Sequence, residues 1–449
     1  MAPIPESTVG NNEVKEKDTG PMIADDAILV DNSLYSMTKL ASNHPGGDLF
    51  VKAFGGRDAT EAFMSYHRRL FPHALVKHAL LDTIQNANNE NYTDDYLELC
   101  AEVDKVLPKH KSFATPLYIV KLIVLLSFTF SLEYHIHTTH HYVWYLCGLL
   151  GWCYALIGLN VQHDANHGSI SKYSWINRIL GYTQNYIGGS HIDWIHQHVV
   201  QHHIHCNDLH QDPDIMGSSV MRLNPLSSMK TMQQYQYLYV FVMIAGFGMS
   251  VVVTSLKHVL NNANYTPMSK ALSTYQPGEI LTSVFFIFRW VVYPIASSLM
   301  LGESITNVGL LMLNTLPLYM VGGFYLALFF LISHNFDGVH MFDFDKDKDK
   351  AVDMHSNNRF LYRQVVTSSN VGGPVLAFIN GGLNYQIEHH LFPRVQHSHY
   401  ATISPIVQAF CNKKNIPYIH FPTVYENVLA CSKHLYKMGN TPATENVEH

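Results

Sequence analysis

Long apolar runs dominate the chain after its first quarter. They cover residues 116–132, 142–161, 237–256, 280–301 and 305–332. The only charged side chains within them are Lys121 and Arg289. Apolar helices of roughly 20 residues are long enough to cross the ~30 Å hydrocarbon core of a bilayer. The pattern predicts an all-α multi-pass membrane unit over residues 116–435.

The chain before these runs is polar and predicts a different architecture. Residues 25–98 indicate a small α+β unit, in which a short apolar strand at Ile28–Val30 precedes a turn rich in Gly and Pro. A helix is expected from Asp58 to His67, and another near Tyr96–Val106. Three segments are expected outside the two units: a disordered N-terminus at 1–24, a linker at 99–115 into which the second helix extends, and a flexible C-terminus at 436–449.

Two histidines in the small unit are candidate haem ligands. His44 opens the loop His44-Pro45-Gly46-Gly47, whose backbone angles suit glycine. His67 follows 23 residues later, at the end of a helix that begins after Asp58-Ala59-Thr60. Two neutral imidazoles on opposite walls of an apolar cleft can ligate haem iron from both sides. The alternative is a turn histidine and a surface histidine, but the whole arrangement favours haem.

Three further groups of histidines follow apolar runs. Neighbours three or four residues apart share a helix face, which brings ligands together. By that logic His198 and His202 share a face, and His203 turns to its neighbour. The histidines of these groups, with the one that follows the last run, are His163, His167, His198, His202, His203, His334, His389 and His390. Eight are too many for one ion, so two metal ions are predicted.

Ligand type alone does not choose the metal, because imidazole suits zinc, copper, iron and nickel. A fused redox unit favours a metal that activates oxygen over a hydrolytic zinc. Asp212 and Asp214 are expected to orient ligands. Four nearby histidines are not expected to be ligands: His191, His196, His205 and His210.

The topology depends on which side of the membrane the groups share. Groups at 163–203 and 386–390 can meet only if an even number of crossings separates them, yet three apolar runs lie between. Lys257 and Lys270 mark the connection after the first of these runs as cytosolic. We therefore predict about four transmembrane helices, with Tyr237–Leu256 lying in the interface or re-entering. Arg289 is costly in mid-bilayer and is expected to snorkel or to hold a head group or carboxylate.

Composition removes several function classes. The net charge of −6 gives no electrostatic basis for nucleic-acid binding. The six cysteines form no CxxC pair, which argues against a disulfide framework or a zinc finger. The polar N-terminus has no apolar core of a signal peptide.

Residues 25–98 resemble a cytochrome b5 domain, on His44-Pro-Gly-Gly, Asp58-Ala-Thr and His67. The resemblance implies haem b with His44 and His67 as axial ligands, and a role in one-electron transfer.

The rest of the chain resembles the membrane fatty acid desaturases, most closely front-end acyl desaturases with a fused cytochrome b5 domain. The motifs that carry the likeness are His163-Asp-Ala-Asn-His167, Gln197-His198-Val-Val-Gln-His202-His203 and the stretch from Gly381 to Pro393 with Gln386-Ile-Glu-His389-His390. The resemblance implies a di-iron centre held by the eight histidines, with O2 as co-substrate. Gln386 stands where other membrane desaturases carry histidine. An amide oxygen is a weak iron donor, so Gln386 is expected in the catalytic set but behind the ligands.

The resemblance also implies the reaction and its setting. A cis double bond would form between an existing double bond and the carboxyl end of a polyunsaturated acyl chain, carried as a lipid or a coenzyme A ester. NADH-cytochrome b5 reductase would donate electrons at the cytosolic face of the endoplasmic reticulum membrane. Gly158–His163 and Ser333–Phe336 look most like Δ5 desaturases that act on 20-carbon acids.

Other activities stay open on sequence. Δ6 or Δ4 acyl desaturation, Δ8 sphingolipid desaturation and hydroxylation would use the same scaffold. A membrane electron carrier or metal transporter belongs to a different class. Transport predicts ionisable residues inside the spans, whereas these clusters lie just outside them.

Overall fold

The computed structural model describes residues 23–83, 94–216, 220–343 and 359–442. The segment 1–24, predicted to be disordered, lies almost wholly outside these ranges. Within them, a small α+β unit is followed by a mostly helical unit, as the sequence predicts.

The small unit is built on a three-stranded antiparallel sheet. Its strands pair in the order β1 (Ala27–Val30), β2 (Ser33–Ser36) and β3 (Leu80–Thr83). Asp31 and Asn32 make the first turn with φ of 45° and 61°, a left-handed conformation that Asp and Asn tolerate. Three helices pack on the sheet: α1 (Met37–Asn43), α2 (Leu49–Ala53) and α3 (Thr60–His67).

The helix predicted near Tyr96–Val106 is present. Helix α4 runs over Asp94–Val106. Its apolar positions Tyr96, Leu99 and Val103 recur at helical spacing and are fully buried. They pack in one core with Phe360 and Phe392 of the large unit. The part of the predicted linker that falls within this helix is therefore packed on the large unit.

The large unit contains five described helices that are long and apolar enough to cross a membrane. Shorter helices connect them or follow them: α7 (Ser174–Gly181), α8 (Thr183–Tyr186), α9 (191–205), α13 (Arg359–Val366), α14 (Pro374–Asn380), α15 (Gln386–Leu391), α16 (Tyr400–Lys413) and α17 (Val424–Asn440). The five long helices are α5 (Pro116–Thr139), α6 (Trp144–Asn166), α10 (Thr231–Asn261), α11 (Lys270–Met300) and α12 (Ile305–His334).

Helices α6 and α12 approach each other at glycines. A Cβ placed on Gly151 would lie 2.3 Å from the carbonyl oxygen of Leu318, and one on Gly322 would lie 2.6 Å from that of Gly151. The two helix backbones are therefore in direct contact, as small residues allow in membranes. This contact fixes the relative height of the two helix ends, which carry His163 and His334.

Helix α10 bends and returns to the end of the bundle from which it started. A 3₁₀ turn at Ile244–Gly246 breaks it, and Gly248 packs on the backbone of Tyr319. Tyr319 lies roughly 20 Å along α12 from His334, at 1.5 Å per residue. Beyond the bend, Asn264 donates to Gln197 of α9 at 3.0 Å. This path is consistent with the re-entrant course predicted for Tyr237–Leu256.

Arg289 has a partner inside the bundle. Its Nε lies 3.0 Å from the Glu133 carboxylate of α5, and its guanidinium lies 4.4 Å from the centre of the Tyr186 ring. Of the alternatives predicted for Arg289, the structure shows the carboxylate, and it is the side chain of Glu133.

Two features depart from the predicted all-α unit and its tail. Strands β4 (Asn370–Val371) and β5 (His420–Phe421) form a short parallel ladder. Helix α17 continues to Asn440, because Leu435 is buried against the bundle. The expected flexible C-terminus therefore does not begin at 436, and residues 443–449 lie outside the described ranges.

The two units share one apolar core. Ile195, Val199 and Leu272 of the large unit lie in the same buried cluster as Ile28 and Tyr35 of the small unit. Arg363 forms an ion pair with Glu61 across the boundary. The small unit is thus packed onto the large one.

We predict that Gly151→Val destabilises the protein, because the added methyl groups would force α6 away from α12. Overpacking of this kind costs about 1–3 kcal/mol of unfolding free energy, and thermal unfolding in detergent would show a lower melting temperature. Gly309→Val is the matched control, since a Cβ there meets no atom within 4 Å. Equal melting temperatures for the two variants would contradict the close contact.

Candidate metal centre

The cleft of the small unit has the geometry of a two-histidine metal site. The ring centres of His44 and His67 are 5.9 Å apart, which leaves room for one ion with metal–nitrogen bonds of about 2 Å. Nδ1 of His44 lies 2.7 Å from the Gly47 carbonyl, and Nδ1 of His67 lies 3.0 Å from that of Phe63. Both Nδ1–H groups can donate there, which leaves each Nε2 as the free donor to a metal.

The histidines of the large unit come together at one end of the bundle in two adjoining groups. Ligand atoms within each group lie within 4.8 Å of one another. The first group is His163, His167, His198 and His389. The second is His202, Cys206, His334 and His390. His203 joins them, since its ring stacks on that of His390 at 4.3 Å and contacts the first group.

These residues fit two metal ions. Within the described part of the chain, several buried ring nitrogens have no hydrogen-bond partner: both of His163 and Nε2 of His167, His202 and His390. Nε2 of His203 lies 3.2 Å from that of His198 and 3.0 Å from that of His389. Nitrogens about 3 Å apart suit neighbouring bonds of about 2.1 Å to one ion. Buried nitrogens that face one another without hydrogen-bond partners are the groups that metal ions would bind.

The stretch from His198 to His203 contains a turn that the sequence analysis did not predict. Residues Ile195–His202 form a π-helical turn, in which the N–H of His203 donates to the carbonyl of His198, five residues back. His198 therefore meets His203, while His202 belongs to the other metal group. His198 and His202 are still neighbours, as expected for one face, with ring centres 5.3 Å apart. The π-turn adds His203 as a second neighbour of His198.

Five of the eight candidate ligand rings form a hydrogen bond through Nδ1, which sets the orientation of the ring. The partners are the Tyr66 hydroxyl for His167, Asp212 for His202, the Thr367 carbonyl for His334, the Tyr400 hydroxyl for His389 and the Gln364 amide oxygen for His390, at 2.7 to 3.1 Å. Such bonds fix the tautomer and aim Nε2 inward. Asp212 thus orients a ligand as predicted.

Burial keeps most of the rings uncharged. Burial and the charge of neighbouring imidazoles hold the pKa of His167, His198, His203, His389 and His390 well below the usual value. For His202, burial also lowers the pKa, but Asp212 and Asp214 outweigh it and raise the pKa to about 9. Neutral imidazole is the form that binds metals, so His202 would release a proton on binding.

The histidines not expected to be ligands have other contacts. His191 lies 2.7 Å from the Glu279 carboxylate, and His196 lies 3.2 Å from the Thr266 carbonyl. Gln386 is buried and faces His334, consistent with a place behind the ligands. Cys206 also lies in the group with His202, His334 and His390, although no pattern in the sequence indicates it. Burial keeps the pKa of its thiol well above the usual value.

One residue touches both candidate sites. Tyr66 immediately precedes His67, and its hydroxyl lies 2.7 Å from Nδ1 of His167. The contact joins the haem-type cleft to the histidine centre without an intervening residue. No local pattern in the sequence indicates it, because 101 residues separate the partners.

Comparison with known proteins identifies both units. Residues 137–422 match the fatty acid desaturase family, and residues 11–98 match the cytochrome b5-like haem/steroid binding domain. The chain belongs to the fatty acid desaturase family. It is a membrane desaturase with a fused cytochrome b5 domain, which confirms the resemblance drawn from the histidine motifs.

Similar proteins cover nearly the whole desaturase. It is 39% identical to an acyl-lipid (7-3)-desaturase of Rebecca salina, over 94% of this chain and 92% of the relative. Identity and both coverages are the same for an acyl-lipid (7-3)-desaturase of Diacronema lutheri. A Delta(5) fatty acid desaturase A of Dictyostelium discoideum is 25% identical, over 92% and 91% of the two chains.

We predict that Asp212→Asn lowers the iron content of the purified desaturase, because His202 loses the carboxylate that orients it. Loss of such a partner typically costs about 10–100-fold in metal affinity or activity. Metal analysis after dialysis against a weak chelator measures the effect. Asp193→Asn is the control, since Asp193 pairs with His258 at 3.1 Å outside both metal groups. Equal iron retention in both variants would contradict the assigned role.

Proposed function

We propose that this desaturase forms a cis double bond between an existing double bond and the carboxyl end of a polyunsaturated acyl chain, with O2 as co-substrate. The observation that carries the proposal is the meeting of eight histidines, in two adjoining groups, beside a two-histidine cleft. A desaturase needs this combination, because methylene C–H bonds are beyond the reach of side-chain acids and bases.

The cofactors of the proposal are haem b and two iron ions. His44 and His67 would hold the haem as axial ligands. The candidate iron ligands are His163, His167, His198, His202, His203, His334, His389 and His390. When bound, the irons would supply the oxidising chemistry with O2 that removes hydrogen from unactivated carbon.

The protein's own contribution is orientation and exclusion of water. The eight candidate ligands are each at most 6% exposed, so a site between them is dry. Tyr400, Gln364 and Asp212 hold rings in the tautomer that presents Nε2. The ligand shell is therefore built before a metal enters, which lowers the cost of organising it.

Tyr66 offers a route for electrons from the haem domain. The route runs from the axial ligand His67 along one peptide unit to Tyr66, and across the 2.7 Å hydrogen bond to His167. Every link is a covalent bond or a hydrogen bond.

The relatives guide the substrate proposal. Two relatives at 39% identity are named acyl-lipid (7-3)-desaturases, which favours an acyl chain esterified in a lipid and the (7-3) position. The Δ5 position on 20-carbon chains, favoured by Gly158–His163 and Ser333–Phe336, is the second candidate and is supported by a relative named Delta(5) desaturase.

The proposed setting is the endoplasmic reticulum membrane, with the haem domain and histidine centre in the cytosol. The connection from Lys257 to Lys270 lies at the histidine end of the bundle, where Asn264 contacts Gln197, and basic connections favour the cytosol. An NADH-dependent cytochrome b5 reductase would then reach the haem domain from solution.

We predict that yeast expressing the chain, and fed polyunsaturated acids of 18, 20 and 22 carbons, makes a new double bond in one chain-length class. Gas chromatography with mass spectrometry of derivatised products would give its position. His203→Ala serves as the inactive control, because it removes the ring shared by both groups. A hydroxylated product, or no product despite a normal haem spectrum, would contradict the proposal.

We predict that Tyr66→Phe slows electron transfer from the haem while leaving haem binding intact. The phenyl ring keeps the packing but loses the hydrogen bond to His167. Loss of a hydrogen-bond partner of a metal ligand typically lowers metal affinity or activity about 10–100-fold. Stopped-flow spectroscopy would follow reoxidation of the reduced haem with O2 and substrate, at measured iron content. Tyr96→Phe is the control, because that buried hydroxyl donates to the Leu391 carbonyl instead. Wild-type reoxidation at full iron content would exclude the route.

A further inference from the structure

A cavity of about 330 Å³ lies where the haem domain meets the membrane unit. Residues Ser65–Arg69 line it from the haem domain, and His67 is among them. The linker contributes Lys109 and Phe113, and the large unit contributes Arg394. The described lining carries several basic side chains and no carboxylate.

The positive charge of this cavity is only partly balanced. Asp104 lies 2.8 Å from Arg68 and 3.9 Å from Lys109, so one carboxylate serves two cations. Arg394 has no hydrogen bond or ion pair with a described residue, and its guanidinium lies 5.7 Å from the centre of the Phe113 ring. Burial lowers the pKa of Arg394, the direction expected for a cation without an anionic partner.

An unpaired, partly buried guanidinium calls for an anion. Arginine binds carboxylates through two parallel hydrogen bonds, which are stronger than bonds between neutral groups. The position of the cavity indicates which anion, because His67 lines it and also faces His44 across the haem cleft. A haem held between these rings would carry two carboxylates, and this cavity adjoins the cleft through His67.

We propose that the cavity receives the carboxylate edge of the haem and that Arg394, from the membrane unit, binds one of the two carboxylates. The inference rests on the proposed haem binding by His44 and His67. Arg394 follows Leu391-Phe392-Pro393, directly after the third histidine group. The haem is thereby a ligand of both units, and its binding strengthens their docking.

The test uses the full-length protein, expressed under haem limitation, purified in detergent and loaded with haem or with haem dimethyl ester. Transfer of haem to excess apomyoglobin gives the rate of haem loss. We expect Arg394→Gln to lose haem about tenfold to a hundredfold faster, in keeping with loss of a charged hydrogen bond. Arg394→Lys should recover part of the difference, because it keeps the charge but not the paired geometry.

The ester separates the haem carboxylates from other anions. Wild-type protein loaded with the ester should lose it as fast as Arg394→Gln loses haem, and the substitution should not speed loss of the ester further. Arg178→Gln is the matched control, since Arg178 lies 3.4 Å from Asp48 of the haem domain but outside the cavity. Its haem loss should stay at the wild-type rate.

Three results would overturn the inference. The first is haem loss from Arg394→Gln at the wild-type rate. The second is equal retention of haem and ester by the wild type. The third is stabilisation of the haem-free chain by inorganic phosphate that depends on Arg394, with haem loss unaffected, which would assign the cavity to a free anion. If Arg394→Gln fails to fold, the comparison of haem with ester on wild-type protein still decides. Absence of a haem spectrum in the wild type would instead refute the proposed haem function.

Discussion

The packing of eight imidazoles into one buried assembly is the constraint on which the rest of this desaturase depends. Rings this close repel one another when protonated, and burial removes the water that would solvate their charge. Most of them are therefore neutral at any physiological pH. His202 is the exception and depends on Asp212 and Asp214. The neutral rings are therefore available as ligands, because metal ions bind imidazole in its unprotonated form.

The membrane helices serve this assembly by fixing the height of its parts. Glycines at the contact of α6 with α12 let the two backbones touch, and each helix carries a candidate ligand at its end. Helix α10 bends back before it leaves the bundle, so that its far end contacts α9, which bears the second histidine group. The haem domain completes one side through an apolar core shared with Ile195 and Val199, and Tyr66 enters as part of that packing.

Local features of this fold could be predicted from sequence, and long-range features could not. His44 and His67 were predictable because loop chemistry and helix spacing act within a few residues. The clusters were predictable because histidines so rarely gather after apolar runs without a ligand to share. Tyr66, Gln364 and Tyr400 were missed, since each meets its ring across many residues and carries no signal of its own. The helix near Tyr96–Val106 was predictable, but its packing was not, because Leu99 and Val103 meet Phe360 and Phe392 across a long stretch of chain.

The π-turn at Ile195–His202 decides which histidines of this stretch become neighbours in space. A π-turn holds one residue more than an α-turn. Wound as a regular α-helix, the same residues would place His203 about 140° around the helix axis from His198, at 100° per residue. The two rings would then separate, although every histidine would still be present. The winding of the backbone over residues 195–202 therefore decides which histidines meet, and residue order alone does not.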